Sequence, residues 1–250
     1  MNEFKEDLSL LNLDGSIVTI SGKKYNFSIS GPRIKKESQF YIGSLTKQLT
    51  AFMLLKILQD QFPEKDLEKL LDQNLLTLFP NSKLLSEIDR PWLSKISLLD
   101  LLTHQSGLSD YIDYYENDIK NPELLNSPIN SIEILQSIKF NPSKKYYYSN
   151  TNYFLLGKLI EEIGLNSLDK IFERLIKVPA KMELSYAPII GNYYFLKDDS
   201  RFSKLLPDLN DSIFIDMSNA IGAGDVISSA SDLIKWNDFL HKKLNPELKK

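Results

Sequence analysis

The chain has 250 residues, 42% of them hydrophobic and 25% charged, which predicts a globular protein with a sizeable core. A net charge of −3 argues against a nucleic-acid partner, and two histidines without any cysteine argue against a zinc or iron–sulfur site. The sequence has no run of about 18 uncharged apolar residues and no glycine-rich phosphate loop, so we expect no transmembrane segment, no metal and no cofactor.

The amino-terminal sequence MNEFKEDLSLLNLDGS contains acidic residues and lacks the apolar segment of a signal peptide. As written it predicts a cytoplasmic protein, or a periplasmic or extracellular one if a leader has been trimmed. Residues 4–12 predict a short amphipathic helix. Residues 16–21 and 25–30 predict two strands, joined as a hairpin through Gly22-Lys23-Lys24.

The next predicted element is a helix from Gly43 to about Asp60 that is apolar on nearly all sides, which is typical of a core helix. ISLLDLLTHQSGL (96–108) predicts a helix with a capping box of Ser97 and Asp100, ending at Gly107. We expect His104 in this segment to be a hydrogen-bonded structural histidine.

Residues 111–130 predict a surface loop, and 131–139 a helix. TNYFLLGKLIEEIG (151–164) predicts an amphipathic helix, 168–177 more helix, and 185–216 irregular chain with short strands. SASDLIKWNDFLHKKL (229–244) predicts a final helix, with Ser229 and Asp232 spaced for a capping box. With strands near the start and helices in the middle, the fold class is predicted to be α+β, as one domain over residues 1–250.

Ser44 and Lys47 are the residues most suggestive of chemistry. Three positions apart on a helix, they share a face, and the serine lies in the first turn, where free N–H groups favour negative charge. A lysine forced among apolar side chains is driven toward its neutral form, and a neutral amine beside a hydroxyl is a base beside a nucleophile. The alternative is a structural lysine that is buried and paired with a carboxylate.

The spacing S-x-x-K alone is a weak signal, because it occurs three times: Ser21/Lys24, Ser44/Lys47 and Ser167/Lys170. The first lies in a predicted hairpin and the third on a polar helix, where lysines are solvated. Only the middle pair places its lysine in an apolar element.

Tyr148-Ser149-Asn150 immediately precedes the amphipathic helix. It can be a simple helix start, with Asn150 or Thr151 as the cap, and Y-x-N recurs at residues 115–117. Alternatively, a tyrosine hydroxyl near an ammonium can shuttle protons, and an asparagine amide can orient an acyl substrate.

Four segments, in order, resemble the serine β-lactamase-related superfamily of class C β-lactamases, D-Ala-D-Ala carboxypeptidases and penicillin-binding-protein-like esterases. They are FYIGSLTKQLTA, ISLLDLLTHQSGL, YYYSNTNYFLLGKLIEE and AIGAGDVISSASDLIKW. The resemblance implies a β-lactamase/transpeptidase-like fold, with a helical region packed on an antiparallel sheet. It also implies Ser44 as the acylated nucleophile, Lys47 as its base, Tyr148 as proton shuttle and Asn150 as the substrate-binding amide.

The sequence departs from this family at its third motif, Lys or His followed two places later by Gly, which no glycine here satisfies. The turn before the tyrosine motif also has Asn141-Pro142-Ser143 in place of P-x-G. We therefore expect the domain to lack its C-terminal strands and to be incomplete at that end.

The prediction is a serine hydrolase that forms an acyl-enzyme with a small-molecule or peptide acyl substrate: a β-lactam, a D-amino-acid peptide or an ester. The alternative is a weak or inactive relative that binds a peptide or partner protein in the same cleft. Neither reading specifies the oligomeric state.

Overall fold

The computed structural model describes residues 15–21, 24–30, 34–35, 37–112, 130–187, 193–194, 214–215 and 217–244. The chain divides into two compact units. The first comprises Met1–Ile42, Phe172–Ala187 and Val226–Lys250, and the second comprises Gly43–Ile171 and Pro188–Asp225. The predicted helix at 4–12 lies outside the described residues.

The first unit contains the two predicted strands, and their pairing is confirmed, while Gly22 and Lys23 of the predicted connection lie outside the described residues. Strands β1 (Gly15–Ser21) and β2 (Lys24–Ser30) pair antiparallel, from Gly15 opposite Ser30 to Ser21 opposite Lys24. Strand β3 (Gln39–Tyr41) pairs antiparallel with β6 (Ile227–Ser229), the strand that precedes the last helix of the described chain.

The helices follow one another in short pieces, apart from three long ones. They are α1 (Thr46–Gln61), α2 (Leu67–Asp72), α3 (Leu75–Leu78), α4 (Lys83–Ile88), α5 (Leu98–Leu102), α6 (Ser131–Ser137), α7 (Asn150–Ile163), α8 (Leu168–Phe172), α9 (Val178–Ala180) and α10 (Ala230–Leu244). A π-helical turn, Glu173–Lys177, connects α8 to α9, so the predicted helix at 168–177 is confirmed in outline.

The core of the second unit forms where α1 packs against α7. The buried side of α1 carries Leu49, Met53, Leu54, Ile57 and Leu58, as its apolar sequence predicts. The helix is not buried on every side, however. Lys56 and Asp60 form an exposed ion pair on its outer face, so α1 is a core helix with one solvated stripe.

The helix predicted over 96–108 is much shorter than expected. Its capping box is confirmed, because Ser97 and Asp100 exchange both hydrogen bonds, but α5 ends at Leu102. His104 then has φ +56° and Gly107 has φ +76°, which turn the chain out of the helix. Beyond the turn, the chain pairs with a distant strand-like segment, as in the bridge between Leu108 and Phe140. The free energy gained from that pairing outweighs the helical propensity of the segment.

Gly107 is required at this point for a steric reason. A Cβ atom there would lie 1.8 Å from the carbonyl oxygen of Asn141, which no side chain could tolerate. The glycine predicted as a helix stop is therefore a site of close backbone approach.

Residues 113–129 of the predicted loop lie outside the described residues. Most of 185–216 does too, although the predicted short strands are found in β4 (Tyr193–Tyr194) and β5 (Phe214–Ile215), which pair antiparallel. The final helix is confirmed, but only half of its predicted capping box forms. Ser229 Oγ accepts from Asp232 N at 3.1 Å, while the Asp232 carboxylate accepts from Leu184 N and Ser185 Oγ.

Candidate active site

Ser44 lies in a single 3-10 turn, Gly43–Leu45, that leads directly into α1. Gly43, directly before the serine, has φ +52°, a conformation that favours glycine. Ser44 is exposed, whereas Lys47, one turn further on, is only 6% exposed. The Lys47 Nζ atom lies 3.1 Å from Ser44 Oγ, so the two side chains share a face as their spacing predicts.

Lys47 has three hydrogen-bond acceptors, and none of them is charged. Its Nζ atom donates to Ser44 Oγ at 3.1 Å, to Asn150 Oδ1 at 2.8 Å and to the carbonyl oxygen of Ala223 at 2.8 Å. Lys47 forms no ion pair with any carboxylate among the described residues, so the paired structural lysine is not what is found.

This acceptor set fixes what a neutral Lys47 amine would do. The amine would keep two N–H groups and one lone pair. Asn150 Oδ1 and Ala223 O can only accept, and they hold the two shortest contacts. The lone pair is therefore left for Ser44, the one neighbour whose hydroxyl can donate. The geometry suits removal of the Ser44 proton by Lys47.

Tyr148 lies on the other side of the serine. Its hydroxyl oxygen is 2.6 Å from Ser44 Oγ, and either oxygen can donate. The tyrosine ring stacks on His104, with ring centroids 4.5 Å apart and an interplanar angle of 27°. Lys47 Nζ lies 5.1 Å from the centroid of the Tyr148 ring, within range of a cation–π interaction. Serine, lysine and tyrosine thus form one connected polar group.

Asn150 is the first residue of α7, and its side chain has a carboxylate partner that the sequence did not indicate. Asp110 Oδ2 accepts from Asn150 N at 3.0 Å and from Asn150 Nδ2 at 2.8 Å. Neither Asn150 nor Thr151 caps the helix with its own side chain, contrary to one reading of the sequence. Asp110 supplies the negative charge at this helix N-terminus.

The carbonyl that binds Lys47 belongs to the turn GAGD (222–225). Gly222 has φ +67°, and its carbonyl oxygen accepts from Thr50 Oγ1 at 2.7 Å. A Cβ atom at Gly222 would lie 2.7 Å from Tyr153 O and 3.0 Å from Gly157 Cα, so only glycine fits against α7. The turn is therefore locked to both long helices of this unit.

The pKa values of Asp225 and His104, near the site, are shifted. Asp225 is buried, and burial raises its pKa to about 7, although its carboxylate also accepts from Gly222 N at 3.0 Å. The pKa of His104 is lowered, first by burial and then by the positive charge of Lys47. His104 Nδ1 accepts from Ser149 N and contacts Asn152 Nδ2, which confirms the hydrogen-bonded structural histidine expected from the sequence.

The other two S-x-x-K pairs lie in different elements. Ser21 is opposite Lys24 in the register of strands β1 and β2. Lys170 is 57% exposed and lies 4.0 Å from the carboxylate of Asp169, beside Ser167 at the start of α8. Lys47 and Lys170 therefore differ in burial, since Lys47 is buried and Lys170 is exposed, as the apolar sequence around Lys47 predicts.

Within the described part of the chain, no group of three or more metal-ligating side chains comes together. The helices described there include none with the length and apolar character that crossing a bilayer requires.

A model of the Beta-lactamase family matches residues 14–249. The chain belongs to the Beta-lactamase family. Its relatives in the family include the teichoic acid D-alanine hydrolase of Staphylococcus aureus, 28% identical over 89% of this chain and 51% of that protein. They also include the D-aminopeptidase of Brucella anthropi, 26% identical over 82% of this chain and 36% of that protein. The chain thus spans about half or less of the length of these relatives.

Solved structures agree on the fold. D-amino acid amidase from Ochrobactrum anthropi superposes with a TM-score of 0.69 at 21% identity, covering 96% of this chain and 70% of that one. A class C beta-lactamase superposes with a TM-score of 0.64 at 18% identity, covering 94% and 61%. The predicted α+β, β-lactamase/transpeptidase-like fold is confirmed, and the family is one of serine hydrolases.

Proposed function

We propose that the protein is a serine hydrolase that forms an acyl-enzyme on Ser44. The observation that carries the proposal is the hydrogen bonding of Lys47, whose two carbonyl acceptors leave Ser44 Oγ as the partner for a lone pair. A buried amine beside an exposed hydroxyl can accept its proton as the oxygen attacks a carbonyl carbon.

The proposed reaction has two stages. In the first, Ser44 Oγ bonds to the acyl carbon, its proton passes to Lys47, and the negative charge goes to the carbonyl oxygen. The Ser44 backbone N–H is proposed as one donor to that oxygen. Collapse of the intermediate breaks the bond to the leaving group, which takes a proton through Tyr148, 2.6 Å from Ser44 Oγ.

In the second stage, water attacks the acyl carbon, gives up a proton to the same groups and releases the acid with Ser44 regenerated. Asn150 is proposed to hold the acyl substrate through its amide. That amide already contacts Lys47, so it can align the substrate with the base.

The substrate proposed first is an ester or amide of a D-amino acid. Two similar proteins are named for such chemistry, a teichoic acid D-alanine hydrolase and a D-aminopeptidase. β-Lactams and p-nitrophenyl esters are suitable reactive probes, because the first presents a strained acyl group to the serine and the second an activated one.

Intact-mass spectrometry tests the acyl-enzyme directly. The protein is incubated with a fluorescent penicillin or a p-nitrophenyl ester, and we expect an adduct of one acyl group per chain. Ser44→Ala should abolish the adduct. Ser167→Ala is the matched control, because it removes the serine of an exposed S-x-x-K pair, and it should be labelled like the wild type.

Equal labelling of Ser44→Ala and the wild type would refute the assignment of Ser44. A protein that gives no adduct but binds the same acyl compounds reversibly would support the alternative function, a non-catalytic binder.

A further inference from the structure

We propose that Asp110 is a positioning residue that fixes the orientation of the Asn150 amide toward Lys47. This proposal rests on the proposed function, because it concerns the same site. Asp110 Oδ2 is 2.8 Å from Asn150 Nδ2, and on the far side of that amide Asn150 Oδ1 is 2.8 Å from Lys47 Nζ. Carboxylate, amide and amine thus form a single hydrogen-bonded chain.

The carboxylate end of this chain sets the orientation of the amide. An ionised carboxylate can only accept, so it must face the NH2 group of Asn150. The amide oxygen is thereby turned toward Lys47, where it accepts an N–H of the amine. Turning the amide by half a turn would place its oxygen against the carboxylate, two acceptors together.

Asp110 is itself held in place by two backbone N–H groups. Its Oδ2 atom also accepts from Asn150 N at 3.0 Å, and its Oδ1 atom accepts from Ile112 N at 3.1 Å. The carboxylate therefore points at the amide without needing any contact to Lys47. Hydrogen bonds to an ionised group are stronger than neutral ones, which makes this an effective clamp.

The consequence for chemistry lies at Lys47. With the amide oxygen fixed, one N–H of the amine is committed to Asn150 and a second to Ala223, and the lone pair is left for Ser44. Without Asp110 the amide is free to rotate. Its NH2 group would then face the amine, and the lone pair of Lys47 would accept from Asn150 in place of Ser44.

A merely structural role must be separated from this one, because Asp110 also satisfies the first N–H of α7. Thr151 provides the matched control. Its hydroxyl ties the same helix end to the same segment, donating to Ser109 O at 2.6 Å and accepting from Tyr111 N at 2.9 Å. Thr151→Val removes that tie without touching the Asn150 amide.

The first test is a double-mutant cycle on kcat/KM with whichever acyl substrate the wild type turns over. Asp110→Ala should lower kcat/KM by about ten- to a hundredfold, mainly through kcat, which is the range that a hydrogen bond to a charged group supplies. In an Asn150→Ala background the same substitution should have less than about a threefold effect. Thr151→Val should give equal, small effects in both backgrounds. Equal effects of Asp110→Ala in both backgrounds would overturn the proposal.

The second test does not depend on activity. Heteronuclear NMR of asparagine-labelled protein reports the side-chain NH2 group of Asn150, identified by its loss in Asn150→Ala. Asp110→Ala should shift this signal and speed its exchange with solvent, while Thr151→Val should leave it in place. An unchanged signal in Asp110→Ala would overturn the proposal.

The two tests separate failure of this proposal from failure of the proposed function. If the Asn150 signal shifts in Asp110→Ala but the protein is never acylated, the positioning role of Asp110 is supported and the proposed hydrolase function is refuted. If Ser44 is acylated but Asp110→Ala and Asn150→Ala have additive effects in the double-mutant cycle, the hydrolase function is supported and the positioning role of Asp110 is refuted.

Discussion

Burial of Asp225 makes the stability of the protein depend on pH. The pKa of this carboxyl rises from 3.8 to about 7, chiefly because burial disfavours its charged form, with the negative charge of Glu161 adding to the effect. Between those values the unfolded chain loses the proton while the folded chain keeps it, so the free energy of unfolding falls as pH rises. At about 1.36 kcal/mol per pKa unit the full loss is about 4 kcal/mol. About 3 kcal/mol of it falls between about pH 5 and about pH 8.

The perturbation that isolates this effect is Asp225→Asn. The amide has the same shape and can still accept from Gly222 N, but it does not titrate. Urea denaturation at about pH 5 and about pH 8 gives the free energy of unfolding of both proteins. From the lower to the higher pH, the wild type should lose about 3 kcal/mol relative to the variant.

Asp60→Asn is the control, because Asp60 is exposed and its ion-pair partner within the described ranges is Lys56, on the outer face of α1. It should change by less than about 1 kcal/mol over the same range. If the difference between the wild type and Asp225→Asn is the same at both pH values, the burial argument is wrong.

Four further substitutions test close packing, a helix cap and a buried acceptor. Gly222→Ala should cost about 2–4 kcal/mol in urea denaturation, because its Cβ would lie 2.7 Å from Tyr153 O at a φ of +67°, whereas Gly224→Ala, with 3.6 Å to its nearest neighbour, should cost less than about 1 kcal/mol. Ser97→Ala removes a cap of α5 and should cost about 1 kcal/mol. Asp232→Ala should cost about 2–5 kcal/mol, since it leaves two donors without their buried acceptor.

Each of these has an outcome that contradicts it. Equal losses at the two glycines would mean that close approach at Gly222 is not the cause. An unchanged midpoint for Ser97→Ala would mean that the capping box does not stabilise α5. A loss below about 1 kcal/mol for Asp232→Ala would mean that water replaces the carboxylate.

The four proposed site residues could be found in the sequence because each signal is local. Ser44 and Lys47 are one turn apart, and the apolar residues around them indicate burial of the lysine. Tyr148 and Asn150 flank the start of a strongly amphipathic helix. The structure brings these four side chains together, while their roles stay predictions.

The remaining parts of the site leave no local signal. Ala223 contributes a backbone carbonyl, which any residue carries, so its contact with Lys47 is not indicated even though the segment around it resembles the family. Asp110 and Asn150 are 40 positions apart and meet only in the folded chain. The burial of Asp225 likewise depends on which helices cover the GAGD turn, and the residues near Asp225 in the sequence do not indicate that.

The error at 96–108 has a similar origin. The segment has good helical residues and a capping box, and the helix begins where they predict. It stops early because Gly107 accepts from Asn141 N at 2.8 Å, a contact to chain more than thirty residues away. The end of the helix is set by this tertiary contact, whereas its start is set by neighbouring residues in the sequence.

The acceptors around Lys47 also constrain the order of folding. One lies on its own turn, but the other two are 103 and 176 positions further along the chain. An amine withdrawn from water before those loops close would have exchanged its hydration for Ser44 Oγ alone, which is costly. Compact states with the wrong partners around α1 are penalised for the same reason. Burial of Lys47, the proposed base, is therefore favourable only after both distant segments have folded against its helix.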